Sequence, residues 1–173
     1  MPFLITDIET TGLSPRSDDI VEIVAVRCSD DTIYPIMKFH AMCNPECGIK
    51  KESEKINNIS EGMVKYAESS NVVLSDLKKI IRPSDIIVGH NILGFDIKFL
   101  ERDGVKINNT IIDTLEMAKK LGFKNGERSL TKLAEKLEVK AKGSPHRADY
   151  DVEITRQIFK KLREMELGNN KLF

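Results

Sequence analysis

The apolar positions fall into short runs separated by turn formers, and the period of each run indicates its element. Phe3–Ile8 is apolar with β-branched residues, the mark of a strand, and Thr10-Thr11-Gly12 and Pro15 end it. Ile20–Cys28 and Thr32–His40 run apolar or alternate, and Asp30-Asp31 between them is a turn signal. They read as the two arms of a hairpin. Residues 43–62 are rich in Asn, Pro, Gly, Lys and Glu and read as an irregular loop. Val72–Arg82 has helical spacing at Val73, Leu77, Ile80 and Ile81, and Pro83 stops it. Asp85–Gly89 is a short buried strand centred on Ile86-Ile87-Val88. Leu93–Asp103 reads as a helix with Gly104 as its stop. Asp113-Thr114 opens a helix to about Leu121, with Asp113 as the capping carboxylate. Ser129 caps another, whose inner face carries Leu130, Leu133, Ala134 and Leu137. A last long helix spans about Ala148 to about Leu167. A hairpin followed by mixed strands and helices makes one α/β domain with a mixed sheet over residues 1–167, followed by a short tail at 168–173.

Composition narrows the class without changing this picture. The chain has 173 residues, 40% of them hydrophobic and 31% charged, enough to bury a core. That excludes a disordered tail, a collagen-like fibre and a disulfide framework. The longest apolar run is Ile23–Val26, so no segment is expected to span a bilayer. The N-terminus has neither a basic region nor a long apolar one, so no secretory signal is expected. Three cysteines read as reduced thiols in a cytoplasmic protein. His40, Cys43 and Cys47 lack the fourth ligand of a closed zinc site and read as loop residues.

Net charge is zero, but the charges are not evenly spread. Residues 1–31 hold seven acids against Arg16 and Arg27, whereas residues 119–147 hold nine basic residues against Glu127, Glu135 and Glu138. The acidic end suits a metal and the basic end suits phosphate, although charge alone favours reading Lys119, Lys132 and Lys136 as solvated helix faces. Asp7 and Glu9 are two apart in a strand, so both carboxylates face one side. Gly12 lets the chain turn and a substrate approach the backbone. Asp96 follows a buried strand and Gly89-His90-Asn91, a junction where ligands gather in α/β folds. Asp151 lies at the start of the last helix, five residues after His146. Such hard oxygen donors suit Mg²⁺ or Mn²⁺, and a nearby imidazole can take a proton from water. Glu22 and Asp113 read as partly buried acids.

Three segments resemble motifs of the DEDDh family of 3′→5′ exonucleases. Asp7-Ile8-Glu9-Thr10-Thr11-Gly12 is similar to the first motif, His90-Asn91-Ile92-Leu93-Gly94-Phe95-Asp96 to the second, and His146-Arg147-Ala148-Asp149-Tyr150-Asp151 to the third. The resemblance runs from about Phe3 to Leu162 and is strongest to the proofreading exonucleases of bacterial DNA polymerase III, the epsilon-subunit type. It implies a ribonuclease H-like fold with a mixed five-stranded sheet flanked by helices. It implies two Mg²⁺ or Mn²⁺ ions per site, held by Asp7, Glu9, Asp96 and Asp151, and His146 as general base. It further implies nucleotide contacts at Thr10, Thr11, Gly12, Leu13, Asn58, Ile59, Asn91 and Phe95. The implied reaction is a two-metal-ion hydrolysis that releases nucleoside 5′-monophosphates from single-stranded or frayed DNA 3′ ends, in proofreading or repair. The implied partners are a DNA 3′ end, a DNA polymerase subunit or a sliding clamp, and no membrane. Asn169–Phe173 bears a faint likeness to clamp-docking tails and reads as an ordinary chain end. Two alternatives stand beside this reading. One is an exoribonuclease of the oligoribonuclease or ribonuclease T type, and the other is a catalytically idle nucleic-acid-binding module.

Overall fold

The computed structural model describes residues 1–169, apart from the side chain of Asn169. Five strands form one mixed sheet in the order β3-β2-β1-β4-β5. These are β1 (Phe3–Thr10), β2 (Ile20–Cys28), β3 (Pro35–Met42), β4 (Ile86–Gly89) and β5 (Ile111–Asp113). β2 pairs antiparallel with β1 and β3, while β4 runs parallel to β1 and to β5. The helices are α1 (Lys51–Asn57), α2 (Glu61–Val64), α3 (Ser70–Ile80), α4 (Asp96–Arg102), α5 (Thr114–Lys120), α6 (Leu130–Lys136) and α7 (Ala148–Asn169).

Alternation along β1 sends its side chains into two cores. Leu4 and Ile8 pack with Val73, Leu74 and Leu77 of α3 and with Phe99 and Leu100 of α4. Phe3 and Ile5 pack on the other face with Val152 and Phe159 of α7. The ring of Phe3 meets that of Phe159 edge-on at 4.9 Å. A third cluster joins α5, α6 and α7 through Ala118, Leu133, Ile154 and Ile158. The result is a helix–sheet–helix sandwich, the α/β class expected. Asp7 and Glu9 continue the Phe3–Ile5 row toward the first turn of α7, so the same alternation that builds the core delivers both acids to Asp151.

Several boundaries differ from the sequence reading, each for a local reason. Residues 43–62 are not all loop, because they contain α1 and α2. α1 has Ile56 as its single apolar residue, so no amphipathic period marks it, and tertiary bonds hold it instead. Ser53 Oγ and Asn57 Nδ2 both donate to the carbonyl of Thr10. β5 is three residues long, too short to leave a pattern. α4 starts at Asp96 rather than Leu93, because residues 91–95 form an irregular turn. Asn91 there has φ +56°, and the Asp113 carboxylate accepts the N–H groups of Asn91 and Leu93. β3 starts at Pro35, after Ile33 at φ +53°. α7 continues to Asn169, past the expected end at Leu167, and the rest of the clamp-like stretch lies outside the described residues.

Asp113 and Ser129 do cap α5 and α6, accepting from Leu115 N and Lys132 N. Among the described residues no helix is long and apolar enough to cross a membrane.

Candidate active site

The site lies where β1 and β4 end beside the start of α7. Asp7, Glu9 and Asp151 converge there, each offering a carboxylate oxygen within 4.8 Å of the others. Asp96 approaches from the opposite helical layer, and its Oδ1 accepts the N–H of Ile8 at 3.2 Å. β4 pairs with β1 only over Phe3–Ile5, so this carboxylate satisfies a β1 amide beyond the end of that ladder. The four acids therefore meet at the C-terminal end of the central strand β1.

Their electrostatics are unbalanced. Burial, with Asp96 and Glu9 close by, pushes the Asp7 carboxyl well above the usual carboxylate range. Glu9 is pushed up to about 8 by burial and by Asp151, partly offset by a hydrogen bond from Asn57. Burial takes Asp96 to about 7. Burial also takes Asp151 to about 6, opposed by the adjacent His146. Clustered, desolvated carboxylates that resist ionisation are the donor set a hard divalent cation requires. The residues thus fit Mg²⁺ or Mn²⁺, with Asp7, Glu9 and Asp151 able to share an ion and Asp96 adjoining them.

A cleft of about 580 Å³ reaches the cluster at Glu9, with His146 also in its lining and Leu13, Ile56 and Phe95 as apolar walls. Leu13 is 83% exposed, so it is no core residue. Thr10, Thr11 and Gly12 also line the cleft. The two threonine side chains are turned to the fold. The Thr10 hydroxyl donates to Gly12 O at 2.6 Å, and the Thr11 hydroxyl meets Cys47 Sγ and accepts Asp19 N–H. Gly12 is required because a Cβ there would sit 2.5 Å from the Asp18 carboxylate. That carboxylate pairs with Lys50 Nζ at 2.6 Å. The ion pair ties the loop after β1 to the start of α1, joining two walls of the cleft.

His146 is exposed on the cleft rim with φ +60°, and its backbone N–H donates to Asp151 Oδ2 at 3.2 Å. Three of the expected contact residues lie elsewhere. Ile59 is fully buried with Val21 and Val64, so it is core rather than a nucleotide contact. Asn58 is the exposed left-handed C-cap of α1 and does not line the cleft. Asn91 is an exposed turn residue that does not line it either. Ile56 and Asn57, one or two positions earlier than Asn58 and Ile59, face the cleft instead. Their signal in the sequence is faint, because α1 is short and polar and its face is set by the approach to Thr10.

Among the described residues His40, Cys43 and Cys47 do not gather into a metal site. Cys43 is buried in the core and His40 pairs with Glu22. Glu22 was expected to be partly buried and is completely so. One signal could have marked it as more than that, since it is the sole acid in β2 and interrupts the apolar run from Ile20 to Val26.

A mixed five-stranded sheet with acids gathered at the end of its central strand is a ribonuclease H-like exonuclease architecture. The chain belongs to the exonuclease family RNase_T, whose model it matches over residues 4–159. It is 36% identical to the PolC-type DNA polymerase III of Caldanaerobacter subterraneus subsp. tengcongensis over 172 residues, 96% of this chain and 12% of that protein. It is 35% identical to the PolC-type DNA polymerase III of Thermotoga petrophila over 177 residues, covering 98% of this chain and again 12% of the relative. The chain therefore spans about an eighth of the length of these curated relatives. Among solved structures it is similar to Exonuclease X in complex with 5′ overhanging duplex DNA, with TM-score 0.74 and 25% identity over 94% of this chain and 92% of that one. It shares the fold of E. coli Exonuclease I in complex with a dT13 oligonucleotide, with TM-score 0.81 and 18% identity over 98% of this chain and 43% of that one.

Proposed function

We propose that this chain is a metal-dependent 3′→5′ exonuclease acting on single-stranded or frayed DNA 3′ ends. The observation that carries the reading is the convergence of Asp7, Glu9 and Asp151, with Asp96 adjoining, at the end of an apolar-walled cleft rimmed by His146. The relatives and Exonuclease X support DNA as the polymer, because their names tie them to DNA replication or to a DNA complex. By the same likeness, a polymerase subunit is the favoured partner.

In this reading Leu13, Ile56 and Phe95 stack against a splayed terminal base. The backbone of Thr10–Gly12 borders its sugar. Asp7, Glu9, Asp96 and Asp151 hold two divalent ions. Such ions supply an activated water and offset charge on the attacking and leaving oxygens. His146 takes the proton from the attacking water at an imidazole nitrogen. The new P–O bond forms as the bond to the neighbouring 3′ oxygen breaks. That oxygen leaves as an alkoxide, takes a proton from solvent water to become the new 3′-hydroxyl, and a nucleoside 5′-monophosphate is released.

A time course on 5′-labelled single-stranded DNA with Mg²⁺, Mn²⁺ or EDTA tests this, with matched RNA alongside. The expected result is a ladder shortening from the 3′ end, absent in EDTA and faster on DNA. Faster cleavage of RNA would transfer the chain to the exoribonuclease class, and no cleavage of either polymer would overturn the enzyme reading. His146→Ala is expected to lower kcat by about 10²- to 10⁴-fold and to remove the limb of the pH–rate profile set by imidazole deprotonation. A variant with the parent profile would remove His146 from the mechanism.

A further inference from the structure

We infer that the buried Glu22 and its partner Arg147 form an anchor that positions His146, although neither residue lines the cleft. The inference rests on the exonuclease reading of the site and adds two positioning residues to it. Glu22 sits in β2 opposite Glu9 and is fully buried. Its carboxylate accepts four hydrogen bonds. Arg147 donates twice, Nε to Oε2 at 3.0 Å and Nη2 to Oε1 at 2.7 Å. The N–H of Ala148, the first residue of α7, donates to Oε2 at 3.0 Å. His40 Nε2 on β3 meets Oε1 at 2.9 Å. Three of the four bonds thus end on the two residues that follow His146.

Two observations say why the loop needs them. Residues 142–146 are all exposed, so no buried side chain fixes this stretch between Ala141 and Ala148. His146 also holds a left-handed backbone, φ +60°, which a non-glycine residue keeps only when its neighbours impose it. On its C-terminal side the His146 N–H bonds Asp151, the Arg147 carbonyl accepts the Asp151 N–H and Ala148 packs in the core, and Glu22 supplies every bond to the Arg147 side chain and the Ala148 N–H. A leucine at position 22 would match its neighbours Val21, Ile23 and Val24 with far less desolvation. The acid makes sense there as the receptor of a bidentate fork, a geometry that arginine supplies and lysine does not.

The test is single-turnover and steady-state cleavage of labelled single-stranded DNA with Mn²⁺ by Glu22→Gln and Arg147→Lys, each alone and combined with His146→Ala. For the pair acting through His146, kcat should fall about 10- to 100-fold with KM within about twofold. In the His146→Ala background the same substitutions should change kcat by less than about twofold. Arg147→Lys keeps the charge at a half-exposed position and serves if Glu22→Gln does not fold. An equal fold-loss in both backgrounds, or a folded variant with parental kcat, would overturn the inference. Amide hydrogen exchange separates this from a failure of the exonuclease reading itself. If the parent protein cleaves nothing, faster exchange at His146 and Ala148 in Arg147→Lys still supports the anchor, and unchanged exchange refutes it.

Discussion

Two buried charge clusters lie toward opposite ends of the central strands, and they are built on opposite terms. At one, Arg27 of β2 donates through Nε and Nη2 to both oxygens of Asp85, at 3.1 and 2.7 Å. Their side chains are 4% and 0% exposed. Arg27 also reaches the carbonyl of Ile80 at the end of α3, and Asp85 accepts the N–H of Arg82. Burial favours the neutral form of Asp85, but these donors outweigh it and hold its carboxyl below its ordinary value. At the other end Asp7, Glu9, Asp96 and Asp151 share burial without an equivalent cation, and all four carboxyls rise. Burial is common to both clusters, so balance is what differs. A paired cluster is scaffold, whereas an unpaired one costs stability and persists where chemistry needs it.

That contrast makes the acidic cluster the place where activity and stability should move in opposite directions. Asp7→Asn should cost about 10³-fold or more in kcat, since several kcal/mol of transition-state charge stabilisation is lost. In EDTA at pH 8 the same substitution should raise Tm by a few degrees, because it removes a carboxyl that burial and its acidic neighbours push up. A parallel loss of both would mean that Asp7 is structural. Asp85→Ala is the mirror experiment. It strands the Arg27 guanidinium in the core and should cost about 3–5 kcal/mol in urea unfolding, with kcat unchanged in the fraction that remains folded.

The clusters should also separate with pH. Carboxyls with raised folded pKa values bind protons more tightly in the folded chain. Their contribution is complete below the unfolded value near 4 and is lost as pH rises through about 6 to 8. Asp85 is lowered, so its contribution is present above about pH 4 and is lost as pH falls below it. Metal-free protein should therefore melt highest near pH 4 to 5 and lose stability toward pH 8. Added Mg²⁺ or Mn²⁺ should remove the alkaline decline. A flat melting profile from pH 5.5 to 8.5 in EDTA would break the comparison.

The same physics decides what could be read from the chain. Period-2 alternation in β1 is local, so the shared face of Asp7 and Glu9 was legible without coordinates. Asp113 and Ser129 were legible because capping is satisfied within two or three residues. What hid was long-range. β5 is a strand only because β4 offers it a parallel edge. α1 owes its place to Thr10, more than forty residues away. Asn58 and Ile59 were assigned to the substrate from resemblance, yet the last turn of α1 turns Ile56 and Asn57 to the cleft. A side chain's facing in a short polar helix depends on its docking, which no local pattern records.

Leu13 and Ile59 carry the smallest effect and the finest discrimination. Both are apolar residues that the resemblance assigned to the nucleotide, and they differ in exposure, 83% against 0%. Truncating Leu13 removes a stacking surface and leaves the core untouched. Base stacking on a side chain is worth about 1–3 kcal/mol, and an aliphatic wedge belongs at the low end. Leu13→Ala should therefore raise KM for single-stranded DNA by about 5- to 10-fold with Tm unchanged. Ile59→Ala should do the reverse, losing about 2–5 kcal/mol of stability to a cavity beside Val21 and Val64 with little change in KM. If the two variants traded places, the cleft wall would have to be redrawn through α1. If Leu13→Ala altered neither quantity, the terminal base would rest on Phe95 and Ile56 alone.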